Sequence, residues 1–294
     1  FHGCDPVVLE NCLRYAVRQG YQFASLDELV TMAAQGVTPS APLLCFTIDD
    51  GFRDQVSTLA PVLLRYQAKP TLFVLTDFVD GKDWPWDAKL MYMTQHSPLA
   101  SAEFAFAGQQ FSLNLSNAAG RIAARRQLVN FTKYLPGDQI DEFLQLVSAR
   151  LDIALTTQAQ PGYEAATWDE LRAAQAQGLI VAAHGCNHKV FSGLSPAQVS
   201  QQLANSRARV QSEMPGCSNV FAYPSGTVRD YDRSHNALVA EAGFVGAVSA
   251  IPGNSRFSDI RHDAFNIPRH SFPDNEFQFA RYCSWVEFLR SRFA

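Results

Sequence analysis

The chain has 294 residues, of which 47% are hydrophobic and 18% charged, and a formal net charge of -4. That balance can fill a hydrophobic core and excludes an intrinsically disordered chain. The lack of any basic block argues against nucleic acid as a partner, and no apolar run reaches the ~18 residues of a membrane span. The chain starts at Phe1 instead of Met, so its native start is expected upstream, with a signal peptide or anchor among the candidates for what precedes it. Its cysteines (Cys4, Cys12, Cys45, Cys186, Cys217 and Cys283) form neither a C-x-x-C motif nor a disulfide framework. Reduced thiols and a cytoplasmic location are therefore expected.

In chain order, amphipathic helices are predicted over 5–18, 26–34 and 55–66, the first stopped by Gln19-Gly20. Residues 43–48 read as a buried strand, and 71–75, introduced by Pro70, as the next. Residues of about 84–160 break the alternation and read as an insertion within a single domain spanning 1–294. Within it, alternating Phe104, Phe106, Phe111 and Leu113 around Gly108 predict a hairpin, and 118–155 a helical stretch interrupted by Pro136-Gly137. A helix over 168–177 then leads through Gly178 into a strand at 179–183. Ser195-Pro196 starts a helix to about 213, and 220–223, 232–242 and 245–249 read as strand, helix and strand. A last strand is expected at 265–268 and a closing helix over 277–293. Repeated strand-then-helix units argue for an α/β fold with a parallel sheet, open or closed into a barrel.

Two segments carry chemistry. Thr47-Ile48-Asp49-Asp50-Gly51 follows the apolar run 43–46, and His184-Gly185-Cys186-Asn187-His188 follows the apolar run 179–183. Catalytic groups of parallel α/β folds sit where strands end, which is where these residues fall. Two histidines and one carboxylate make a divalent-metal site with an open position, and a carboxylate is left over as a base for metal-bound water. The competing readings are plain: Asp-Asp-Gly is ordinary turn chemistry, and two histidines can decorate a surface loop.

Together these segments resemble the polysaccharide deacetylases, carbohydrate esterase family 4. Residues 47–51 resemble that family's first motif, with Ile48 where phenylalanine is usual, and His184 with His188 resembles the second. Phe221-Ala222-Tyr223-Pro224-Ser225-Gly226 resembles the third, and the helix opening at Thr167-Trp168-Asp169 is similar too. The resemblance implies a distorted (β/α) barrel of about seven strands, interrupted here by the mostly helical insertion. It implies Asp50, His184 and His188 as ligands of a metal, usually zinc, with cobalt or nickel also accepted by such donors. Asp49 would be the general base, a backbone N–H near Tyr223 an oxyanion donor, and Tyr223, Pro224 and Ser225 part of the sugar groove. The implied substrate is an N-acetylated sugar of a bacterial-type glycan, such as a lipopolysaccharide or exopolysaccharide precursor. O-acetyl and formyl groups are alternative targets for the same site. A polymer substrate points to the cell envelope, against the cysteine argument.

The chain departs from the family in two places. Ala222 stands where the third motif usually begins with arginine, and the late motif that supplies the usual catalytic acid is not recognisable. Ile267-Pro268-Arg269-His270 lies where the last strand should end, so Arg269 is the candidate for the missing cation and His270 for the missing acid. In an extended segment the two point oppositely, which favours Arg269 as the inward residue. These departures keep a non-catalytic carbohydrate-binding relative in play. Asp54 is a candidate for orienting a metal histidine, or simply complements a helix dipole. Trp84 is a candidate for sugar stacking, with clamping of the insertion as the alternative for it, Trp86 and Asp87. His96, His235 and His262 match no ligand spacing, and Cys186 and Asn187 read as loop packing.

Overall fold

A computed structural model describes residues 2–284 and 286–287. Among the described residues there are nine strands: β1 (Gln22–Phe23), β2 (Leu43–Leu44), β3 (Thr47–Asp50), β4 (Thr71–Val74), β5 (Ser101–Phe106), β6 (Gln109–Asn114), β7 (Ile180–Ala183), β8 (Val220–Ala222) and β9 (Gly246–Val248). Strands β3, β4 and β7 form a parallel sheet in the order β3-β4-β7, and β1-β2 and β8-β9 are parallel pairs. All four residues of β4 are buried, as expected for a strand covered on both faces. The Ser218 N–H donates to Val181 O at 2.9 Å beside β7, and a parallel bridge joins Val248 to Ile267.

The α/β class and the parallel pairing agree with the sequence reading, but a closed seven-stranded barrel is not formed among the described residues. The physical reason is strand length. The apolar run at 43–48 breaks at Cys45-Phe46 into β2 and β3, and the expected strand at 265–268 contributes one bridge. Pro268 has no N–H with which to continue that ladder.

Helices cover the sheets. Asp5 caps Pro6–Arg18, Ser25 caps Leu26–Gln35 and Thr167 caps Trp168–Gln175, the last two through capping boxes. The expected helix at 55–66 is a π turn, Gln55–Leu59, running into Ala60–Arg65. The closing helix is described over Glu276–Tyr282, and most of the remainder to 293 lies outside the described residues. The main core gathers Leu72, Val74, Val181, Ala183, Phe221 and Tyr223 from the central strands with the helices around them.

The insertion has its own apolar cluster. Hairpin β5–β6 turns at Ala107-Gly108, both at positive φ, and stacks Phe104 on Phe111 with centroids 4.9 Å apart. Helices Trp86–His96, Ala118–Thr132 and Ile140–Leu151 close over it with Leu90, Leu128 and Phe143. Lys133 ties this unit to the loop after β8 through an ion pair of 2.9 Å with the fully buried Asp230.

Candidate metal centre

The carboxyl end of β3 turns sharply. Asp50 has φ 86° and Gly51 φ 91°, and the buried Gln55 side chain accepts from Gly51 N (3.1 Å) and Phe52 N (2.9 Å). Gly51 is required there: beyond its φ, a Cβ would lie 3.1 Å from Val74 Cγ1. The turn sends the neighbouring acids to different partners.

Asp50 Oδ1 lies 3.7 Å from His184 Nε2 and 3.6 Å from His188 Nε2, and it is buried without a hydrogen-bond partner. Both histidines are buried and follow β7. His184 Nδ1 is 2.8 Å from Ala222 O; a carbonyl only accepts, so Nδ1 carries the hydrogen and Nε2 presents its lone pair. His188 Nδ1 sits 3.0 Å from Asp87 Oδ1, which likewise turns Nε2 towards Asp50. Trp86 Nε1 donates to His188 O at 2.8 Å and fixes that turn, where His188 has φ 61°. The three side chains offer ligand atoms within 4.8 Å of one another. An orphaned buried carboxylate oxygen facing two imidazole lone pairs suits a divalent cation of the zinc type.

Burial is the largest influence on the charge of all three side chains. Burial pushes Asp50 up to about 7. Burial also lowers His184, to about 4, leaving it a neutral ligand. Burial opposes charge on His188 as well, but Asp87 and Asp50 outweigh it and raise this group to about 9.

Asp49 faces Arg269. Nη1 and Nη2 donate to Oδ1 and Oδ2, each at 2.9 Å, a bidentate pair. The same guanidinium donates to Thr47 Oγ1 (2.8 Å) and Ser249 O (2.8 Å) and lies over the Phe73 ring. Burial disfavours the Asp49 carboxylate, yet Arg269, with His184 behind it, holds its pKa down at about 2. His270, next in the chain, stacks on Tyr282 at 4.2 Å, meets Asn254 Oδ1 at 3.1 Å, and lines the same cleft as Arg269. A cleft of about 770 Å³ runs along Asp49 and Asp50.

Several sequence candidates lie elsewhere. Asp54 contacts neither metal histidine; its Oδ2 accepts from His2 N (2.7 Å) and sits 3.3 Å from His2 Nδ1. Trp84 is not brought to the cleft: it is 3% exposed, packs on Tyr92 and Tyr163, and donates to Thr156 O. Its large apolar surface clamps the insertion instead. Tyr223 is 1% exposed, stacked on Tyr231 at 3.9 Å with its hydroxyl on Asn236 and Phe265 O, so its ring walls no groove. The Tyr223 N–H is spent on Val248 O at 3.2 Å. Pro224 is buried, and Ser225 is partly exposed at φ 61°.

Two cleft residues escaped the sequence reading as site residues. Asp87, which orients His188, is 101 positions away on an inserted helix. His2 lines the cleft, stacks on Phe52 at 3.7 Å, and holds Asp54; burial lowers its pKa against the pull of Asp54. Asp87 carries a prediction: Asp87→Asn should weaken zinc binding ~10–100-fold, because carboxylates that orient a ligating histidine also raise its basicity. Chelator competition measures this, and an affinity equal to wild type would remove Asp87 from the centre.

The fold and the site define a mixed α/β protein with an Asp-His-His group at the ends of parallel strands. The family model described as Polysaccharide deacetylase matches residues 125–247, a stretch containing both histidines but neither Asp49 nor Asp50. A putative polysaccharide deacetylase of Bacillus subtilis, YxkH, is 31% identical over 77 residues, 26% of this chain and 28% of that protein. The match thus spans well under a third of the relative's length. Among solved structures, the Streptococcus pyogenes deacetylase PplD, in complex with acetate, superposes with TM-score 0.62 at 14% identity, covering 96% of this chain and 88% of its own. IcaB from Ammonifex degensii gives 0.59 at 15%, covering 95% and 88%. Part of the chain, residues 125–247, is thus similar to the polysaccharide deacetylase family, and its fold is that of the solved deacetylases.

Proposed function

We propose that this protein is a zinc-dependent carbohydrate deacetylase that removes an N-acetyl group from a sugar of a bacterial-type glycan. The observation that carries the reading is the buried, unpartnered Asp50 Oδ1 between two imidazoles whose other nitrogens are already engaged. A divalent ion bound there would polarise the acyl oxygen and acidify a bound water. Asp50, His184 and His188 would hold the ion, and Asp49, kept ionised and aimed by Arg269, would accept the proton of the attacking water. The Ser225 N–H makes no hydrogen bond among the described residues and serves as the donor to the developing oxyanion. His2, lining the cleft beside Asp54, joins His270 of the same cleft as a group placed to protonate the departing amine.

We take the whole chain as one catalytic unit, its short strands approximating the family's barrel. Among the described residues no helix is long and apolar enough to cross a membrane. The six free thiols favour a reducing compartment.

The test is elemental analysis of the purified protein beside His184→Ala, followed by acetate release from N-acetylglucosamine oligomers. About one zinc per chain, lost in the variant, with acetate released only by the loaded wild type, is the expected result. No metal after reconstitution overturns the hydrolase; metal without acetate release favours a carbohydrate-binding relative.

A further inference from the structure

We infer that Arg125 gives the cleft a preference for a glycan bearing an anionic group, phosphate or carboxylate, near the acetylated sugar. The inference deepens the proposed deacetylase reading and rests on it for the sugar. Helix Ala118–Thr132 holds Arg121, Arg125 and Arg126 and no acid. Arg121 is committed to the carbonyls of Thr94, Gln95 and Ser97. Arg125 instead projects to the lining of the cleft beside Met91 and Ala88.

Two arginines line that cleft, and no lysine does among the described residues. Arg269 is used up by Asp49, Thr47 and Ser249. Arg125 Nη1 lies 2.9 Å from Met91 Sδ, a weak neutral acceptor, and no ion pair of Arg125 occurs among the described residues. An exposed guanidinium held against a thioether keeps its planar fork open, the geometry that takes phosphate or carboxylate bidentately. Of the five aspartates that line the cleft, Asp49 pairs with Arg269, Asp50 and Asp87 face the histidines, Asp5 accepts from Val7 N as a helix cap, and Asp274 is exposed to solvent. On a substrate whose reacting amide is neutral, such a guanidinium gains most where the glycan carries a negative charge.

The experiment measures binding, not turnover. The zinc-loaded full chain is titrated with N-acetylglucosamine, N-acetylglucosamine 6-phosphate and N-acetylmuramic acid, into the tens of millimolar. Wild type, Arg125→Gln, Arg125→Lys and Arg126→Gln are compared at low and high salt. Arg126 is the exposed neighbour outside the cleft lining. The expected result is an anionic probe bound about tenfold more tightly than the neutral one, as a charge-assisted contact provides. That preference should collapse in Arg125→Gln, survive in part in Arg125→Lys, persist in Arg126→Gln, and shrink with salt. The phosphate and carboxylate arms tell which group is read. Equal affinity for neutral and anionic probes, no anion binding in the range, or a preference unchanged in Arg125→Gln overturns the inference. Acetate release without an Arg125-dependent preference loses this inference alone; the preference without acetate release loses the deacetylase reading alone.

Discussion

Asp49→Asn is expected to lower acetate release ~10²–10⁴-fold, the range for loss of a positioned general base, while zinc content stays at the wild-type level. The separation follows from the turn after β3. Asp50 alone faces His184 and His188, whereas both Asp49 oxygens face Arg269. Asparagine keeps the size of the side chain and one acceptor for the guanidinium, so the scaffold should persist. It cannot take a proton from water at neutral pH. Asp50→Asn should show the reverse pattern, losing metal first and activity as a consequence. A rate within a few-fold of wild type in metal-loaded Asp49→Asn would remove the base from the mechanism. The pair of variants also separates an enzyme from a binder: in a pure binder, Asp49→Asn would leave the measured function intact.

How much of this could be read in the chain depends on the range of each interaction. Asp50, His184 and His188 were legible because each lies just after an apolar run, and a strand end is a local property. Arg269 was legible by alternation along an extended segment, and its guanidinium pairs with Asp49. Asp87 was seen only as a neighbour of the tryptophans, because its meeting with His188 depends on how an insertion folds back over the sheet. For Trp84 stacking and clamping both stood open in the sequence, because a tryptophan in a polar stretch reads as exposed until Tyr92 and Tyr163 are known to enclose it. For Asp54 the spacing left a metal histidine and a helix dipole as equal partners, and the carboxylate instead meets His2. The signal that could have linked His2 to the site is weak, a histidine with no ligand-like spacing. Strand closure was not legible at all, since two-residue pairings such as β1-β2 leave little periodicity to read.

Removing Arg269 should move the acidic limb of the pH–rate profile upward. In wild type the guanidinium holds Asp49 at about 2 against the burial that would raise it. In Arg269→Met the burial remains and the nearest cation is gone, so Asp49 takes up its proton at a higher pH. Activity at neutral pH should fall as well, because the base loses its orientation, and Arg269→Lys should restore part of both, keeping the charge but not the fork. Stability gives an independent reading. A carboxylate whose folded pKa is depressed stabilises the fold above its unfolded pKa, near 4, and loses that contribution as pH falls through about 2. The stability gap between wild type and Arg269→Met should therefore be widest at neutral pH and narrow in acid, where Asp49 of the variant is neutral. Its size should be ~1–3 kcal/mol, below that of a fully buried pair, because Asp49 keeps 34% of its side-chain surface exposed. Metal content must be checked at each pH, since protonation of His184 and His188 also limits the acidic side. An acidic limb that stays in place while the rate falls would make Arg269 a packing residue rather than the group that tunes Asp49. A stability gap independent of pH would lead to the same conclusion without any substrate.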